Sequence, residues 1–219
     1  MTKEDLIKEL VKDGYLKTPA VIGAFNAIDR KDFLPEEVKE RAYENTALPI
    51  GYEQTISQPL VVAFMLELLE IKPGEKVLDV GTGSGWNAAL IANLVGNTGT
   101  VVSIERVPEL YEFAKKNLVK YNFIDSANSA LSQRASAVLV KLIQGDGSLG
   151  YETEAPYDKI VAGAAAQEIP AVWKEQLKIG GRIVAPVKDS IVVLDKISKD
   201  KFKQKDYFGF SFVPLIKDL

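Results

Sequence analysis

The chain has 219 residues, 47% of them hydrophobic, with 27 Lys and Arg against 30 Asp and Glu; this is enough apolar content for one substantial core and lacks the basic excess on which nucleic-acid affinity rests. It contains no cysteine and no histidine, which excludes disulfides, thiolate nucleophiles, Cys/His zinc sites and an imidazole base. The opening MTKEDLIKELVKDGYL is amphipathic and charged, and no stretch reaches the roughly 18 apolar residues of a membrane span, so a soluble, cytoplasmic protein without a metal is expected, its chemistry left to carboxylates, hydroxyls, backbone or an already activated cofactor.

In chain order, Thr18-Pro19 before AVIGAFNAI and Leu34-Pro35 before Glu36-Glu37 put proline and acid where helix N-termini favour them. Residues 1–70 are expected to form an α-helical cap. YENTALPIGYEQTISQP, from Tyr43 to Pro59, has neither helical nor strand period over its length and predicts a long loop, ordered by Ile50 and Ile56. Pro59 then opens the helix LVVAFMLELLEI, and Lys72-Pro73-Gly74 turns the chain into a first strand.

Residues 71–219 read as an α/β core. Strands are predicted over 77–80, 100–105, 138–144, 157–164 and 181–187, and helices over 86–95, 108–121 and 170–177. This alternation implies a mostly parallel sheet wound on both faces by right-handed crossovers. In the tail, SIVVLDKIS and FGFSFVPLI, separated by the charged KDKFKQKD, predict a closing antiparallel hairpin. The Ser/Ala-rich DSANSALSQRASAVLV over 125–140 is expected to be an insertion with a short helix. One domain, 1–219, accommodates all of this.

Gly81, Gly83 and Gly85 alternate directly after a strand carrying Asp79, and each lacks the Cβ that would keep a ligand off the backbone. A dinucleotide fingerprint would need its third glycine where Trp86 stands. G-x-G-x-G resembles instead the first motif of S-adenosylmethionine-dependent methyltransferases, although any tight strand-to-helix turn can be glycine-rich for its own sake. Glu105 ends the second strand about twenty residues on, where an acid accepts from both ribose hydroxyls. Asp146, between Gly145 and Gly147, can accept from an exocyclic adenine amine or simply make a turn. Asp79 can orient the glycine loop, bond a methionine amine, or bond nearby backbone amides. The cofactor-binding candidates are therefore Asp79, Gly81, Thr82, Gly83, Ser84, Gly85, Glu105, Asp146 and Gly147.

ALPIGYEQTISQP ahead of VLDVGTGSGWNAA, followed by SIE, GDGSLGYETEAPYDKI, IPAVWKEQL, GGRIVAPV and the final FVPLI, resembles the protein-L-isoaspartate (D-aspartate) O-methyltransferases over most of the chain. That resemblance implies a Rossmann-like methyltransferase fold with a mostly parallel seven-stranded sheet and an antiparallel C-terminal strand. It implies S-adenosyl-L-methionine as cofactor, S-adenosyl-L-homocysteine as product, and isoaspartyl proteins or peptides as partners. The family esterifies the free α-carboxylate of L-isoaspartyl and D-aspartyl residues in damaged chains, and the ester then cyclises to a succinimide. By the same resemblance Ser57 and Thr55 line the acceptor site as catalytic candidates, Gln54 and Ile56 shape it, and Ala165, among Ala164–Ala166, lies against the peptide. The enzyme is expected to be a monomer, with neither nucleic acid nor membrane as partner.

An acceptor carboxylate is ionised at pH 7, so positioning is the main task, and a hydroxyl such as Ser57 can orient it without deprotonating it. Ser57 can equally be the N-cap ahead of Pro59. The sequence departs from the family at Trp86-Asn87, where Tyr and Gln are usual, and at Lys188-Asp189-Ser190 after Val187, where glycine and a nearby glutamine are usual. The second departure keeps an RNA or small-molecule acceptor open, and the insertion keeps open a SAM-binding module without catalysis. An NAD-dependent dehydrogenase ranks last, because the glycine spacing is wrong and no histidine is present.

Overall fold

A computed structural model of the protein describes residues 1–124 and 140–216. The expected 125–140 insertion lies outside these residues but for Val140, which opens a strand. Helices α1 (Lys3–Lys12), α2 (Pro19–Ala27) and α3 (Pro59–Leu69) precede the core. The core then runs β3 (Lys76–Val80), α4 (Trp86–Val95), β4 (Thr100–Glu105), α5 (Pro108–Lys120), β5 (Val140–Gln144), β6 (Tyr157–Ala162), α6 (Ala171–Gln176), β7 (Leu177–Val187), β8 (Ser190–Lys196) and β9 (Phe202–Phe208). The seven strands order as β5-β4-β3-β6-β7-β8-β9. The first five strands in this order run parallel, and β8 alone runs against both of its partners.

The central strands are apolar without interruption because both sheet faces are covered. Val77, Val101, Val161 and Val184 face the layer containing α1 to α4, whereas Leu78, Val80, Ile160, Ala162 and Ile183 face Trp173 of α6. The N-terminal helices are tied to that first layer. Glu67 of α3 accepts from the backbone N–H of Lys17 and Thr18 at 2.7 and 2.9 Å, and Phe25 of α2 meets Trp86 edge-on at 5.6 Å.

Three expectations change. Residues 30–33 and 36–41 form two short 3-10 turns where Pro35 and its acids predicted a helix. The loop of residues 43–59 carries a small antiparallel hairpin, β1 (Leu48–Gly51) and β2 (Gln54–Ile56), too short to declare a period; Ile50 and Ile56 are buried as expected. The last strand is the charged run itself, Phe202–Phe208, because an edge strand open to water needs no apolar period. FGFSFVPLI instead leaves the sheet and crosses the C-terminal ends of its strands. There the Ala165 N–H donates to the Val213 carbonyl and the Leu215 N–H to the Ala165 carbonyl, each at 2.8 Å.

Candidate active site

The chain leaves β3 at Val80 and enters α4 at Trp86 through a loop whose three glycines have φ of +85°, +56° and +91°, a region that side chains with a Cβ rarely adopt. Gly85 also packs tightly on α5, where an added Cβ would stand 3.3 Å from Leu118 Cγ. The loop is anchored on the sheet side. The Gly81 and Thr82 N–H groups donate to the Ile104 carbonyl at 2.9 and 3.1 Å, Gly83 N–H donates to Glu105 Oε2 at 2.7 Å, and Asn117 donates to the Ser84 carbonyl at 3.0 Å.

Asp79 lies beneath this loop with no exposure. Its Oδ1 accepts from Asn87 at 2.7 Å and its Oδ2 from the Ser103 hydroxyl at 2.7 Å, and with that hydrogen committed Ser103 Oγ accepts from the Thr82 hydroxyl at 2.6 Å. Its partners are side chains, not the backbone amides considered above. Burial pushes this carboxyl from 3.8 up to about 6, against the two hydrogen bonds that favour the anion. Glu105, at the end of β4, is raised for the same reason, while backbone amides pull it the other way; its Oε1 accepts from Val107 N–H at 2.9 Å. The backbone amides of Val107, Gly83 and Arg106 share its two oxygens, and a carboxylate with about four acceptor positions still has room for a ligand.

One cleft collects most of the residues singled out in the sequence. Gln54, Thr55, Ile56, Ser57, Gly81, Thr82, Gly83, Ser84, Glu105 and Gly147 all line it. Gly85 and Asp79 support it from below. Asp146 stands at its side and caps a short turn by accepting from Ser148 N–H at 2.8 Å. Ala165 does not line the cleft, since its backbone is taken by the tail, and Gly163 and Ala164 form that wall. A second hollow, lined by Ala47, Gln58, Val61 and Ser211, shares Thr55, Ser57, Gly163, Phe212 and Val213 with the first. Thr55 and Ser57 therefore stand on the partition between the two.

Ser57 is not the N-cap of α3. That position is Gln58, and the side chain of Asn45 accepts from Leu60 N–H at 3.0 Å in its stead. Among the described residues the Ser57 hydroxyl makes no hydrogen bond, so it is available to a ligand. The altered segment after Val187 forms the β7–β8 turn. The Asp189 carbonyl accepts from Gly209 and Phe210 N–H at 3.1 Å each, which anchors the start of the tail.

Val62 and Met65 carried no functional signal in the sequence, whereas the tail and Trp86 figure there only as part of the family resemblance and as a departure from it. Val62 and Met65 of α3 and the tail from Phe212 to Ile216 close the cleft with apolar surface. Trp86 lines it with an indole N–H that is buried and unpartnered. Bare backbone at three glycines, a strand-end carboxylate with spare lone pairs and an apolar wall from Ile104, Val107 and Leu110 fit an adenosyl ligand.

The family model of protein-L-isoaspartate(D-aspartate) O-methyltransferase matches residues 1–219. The protein-L-isoaspartate O-methyltransferase of Ignicoccus hospitalis is 45% identical over 220 residues, covering 99% of this chain and 98% of that one. Protein-L-isoaspartate O-methyltransferase 1 of Archaeoglobus fulgidus is 44% identical over 214 residues, covering 97% and 93%. Among solved structures, a Plasmodium falciparum chain described as a beta-aspartate methyltransferase in complex with S-adenosyl-L-homocysteine shares the fold, with a TM-score of 0.83, 24% identity and full coverage of both chains. A solved protein-L-isoaspartate O-methyltransferase has a TM-score of 0.83 at 28% identity, over 97% of this chain and 65% of its own.

Proposed function

The chain belongs to the protein-L-isoaspartate(D-aspartate) O-methyltransferase family, and from that premise we propose that it transfers the methyl group of S-adenosylmethionine to the free α-carboxylate of L-isoaspartyl and D-aspartyl residues in damaged proteins or peptides, with Ser57 and Thr55 presenting the acceptor. The observation that carries the residue assignment is the Ser57 hydroxyl, unbonded on the wall between a glycine-lined cleft and a second hollow.

The backbone of Gly81, Gly83 and Gly85, with Thr82 and Ser84, would form the cradle of the cofactor. Glu105 would accept from the ribose hydroxyls, and Asp146 with the Gly147 backbone would face the adenine. Asp79 would act from below, through Ser103 and Thr82, by holding the loop. When bound, the sulfonium supplies a methyl group already activated for displacement. The protein's own task is then alignment: holding reactants in a near-attack arrangement is worth several kcal/mol.

On the acceptor side Ser57 would donate its hydroxyl hydrogen to one carboxylate oxygen and keep that proton throughout. The acceptor is ionised at pH 7, so a chain without histidine lacks nothing the reaction requires. Thr55 and Gln54 would border the peptide, and Ile56, Val62, Met65 and Phe212 would keep water away from the reacting atoms. Ala165 would contribute through the tail it holds.

The test is incubation with methyl-labelled S-adenosylmethionine and a pair of peptides identical except for an isoaspartyl or an aspartyl linkage. Base-labile label on the isoaspartyl peptide alone is expected. Equal labelling of both, or none, overturns the substrate assignment.

A further inference from the structure

Arg30 belongs to no motif, yet it joins the two halves of the site. Its side chain is 2% exposed and makes four hydrogen bonds, all to main-chain carbonyls. Nη1 donates to Ala42 at 2.7 Å and Glu44 at 3.4 Å, and Nη2 donates to Thr46 at 2.9 Å and Ser57 at 3.1 Å. Those four acceptors span the segment that carries Thr55 and Ser57. On its other side the guanidinium lies over the Trp86 ring, 5.4 Å from the centroid, and Trp86 both lines the cofactor cleft and follows Gly85 directly.

A structural ion pair does not explain this arrangement. The Glu44 carboxylate acts on Arg30 only at a distance, without a side-chain hydrogen bond, and burial pulls the guanidinium down to about 10, so it remains charged at neutral pH. Burying a cation on carbonyls alone is unfavourable unless the acceptors are held in register. The rigid planar fork of arginine, with five donors, is suited to gathering several carbonyls; the compact ammonium of lysine is not. The carbonyls of Ala42, Glu44, Thr46 and Ser57 converge on one group only when the whole segment follows one path.

Building on the function proposed above, we infer that Arg30 is a positioning residue for the acceptor half of the site: it fixes the Ser57 backbone against the Trp86 ring, so that acceptor loop and cofactor loop keep a single relative placement. It touches no reacting atom and works through Ser57.

The test uses the full chain with R30K, which keeps the charge but gathers fewer carbonyls, and R30Q, which removes the buried charge and keeps a planar donor. Three readouts are taken: steady-state kinetics with an isoaspartyl peptide, calorimetric affinity for S-adenosylhomocysteine, and amide hydrogen exchange. The expected result is a split, with kcat/KM for the peptide falling at least about tenfold while the S-adenosylhomocysteine Kd stays within about threefold. Residues 42–57 exchange faster, and 86–95 keep their protection. Parallel loss of peptide turnover and cofactor affinity overturns the inference, as does no change in either. Failure of both variants to fold also overturns it, because Arg30 is then scaffold only. If the wild-type enzyme does not methylate the peptide, the functional reading falls, while affinity and exchange in the variants still judge Arg30.

Discussion

Replacing Asp79 by asparagine tests the electrostatics beneath the glycine loop. The carboxylate is wholly buried, and among the described residues no cation pairs with it; its partners are Asn87 and Ser103, and Glu105 repels it. Burial raises it from 3.8 to about 6, roughly two pKa units, or about 3 kcal/mol at 1.36 kcal/mol per unit. The native state then binds this proton more tightly than the unfolded chain does. Between about pH 4 and pH 6 stability therefore falls as pH rises, and the full penalty of about 3 kcal/mol stands above that window. Asparagine removes it without stranding a partner. Its oxygen accepts from Asn87, its amide donates to Ser103, and Ser103 turns its hydrogen toward Thr82, a reversal open to this hydroxyl pair because either atom can donate. Urea denaturation of D79N and wild type from about pH 4 to pH 7.5 measures the difference directly. D79N should gain on wild type by about 2–3 kcal/mol across that range. A difference that does not change with pH, or that moves against the variant as pH rises, refutes the reasoning.

Three further substitutions have defined outcomes. In E105Q one amide oxygen must replace two carboxylate oxygens that accept from Gly83 and Val107 at 2.7 and 2.9 Å; calorimetry should show S-adenosylhomocysteine binding weakened about 10- to 100-fold, and unchanged affinity removes Glu105 from the cofactor site. S57A should lower kcat/KM for an isoaspartyl peptide about 10- to 100-fold in steady-state assays while leaving S-adenosylhomocysteine affinity within about twofold; a loss confined to the cofactor would reassign the residue. G147A places a Cβ 2.5 Å from Val80 Cγ1, so overpacking of about 1–3 kcal/mol should lower the melting midpoint by about 3–10 °C. G145A, whose Cβ meets nothing within 4 Å, is the control and should leave the midpoint nearly unmoved.

The stretch from β3 to α5 was the most legible part of the chain. Strands buried on both faces read as unbroken apolar runs, and Gly81 to Gly85 and Pro108 punctuate their ends. The glycine loop and Glu105 were visible for the same reason, since each sits at a strand end that the pattern itself locates. Other features left no such trace. Asn45 caps α3 from 15 residues upstream of Leu60, a pairing that tertiary packing creates, and so Ser57 looked like the local cap. Arg30 bonds only carbonyls, which every residue carries, so nothing in its neighbours' side chains marks it. The β9 strand was hidden by its own lysines, because an edge exposed to water is selected for charge as much as for packing.

Those lysines bear on the molecules this enzyme meets. Aged proteins that have begun to lose structure present extended segments with unpaired backbone, the kind of chain that adds to an open sheet margin. Lys203, Lys205 and Asp206 stand exposed on the outermost strand, where an incoming chain would have to strip their hydration to zip alongside. On the function proposed above, that charged margin discourages a client chain from zipping onto the sheet, so contact stays confined to the methyl-transfer site.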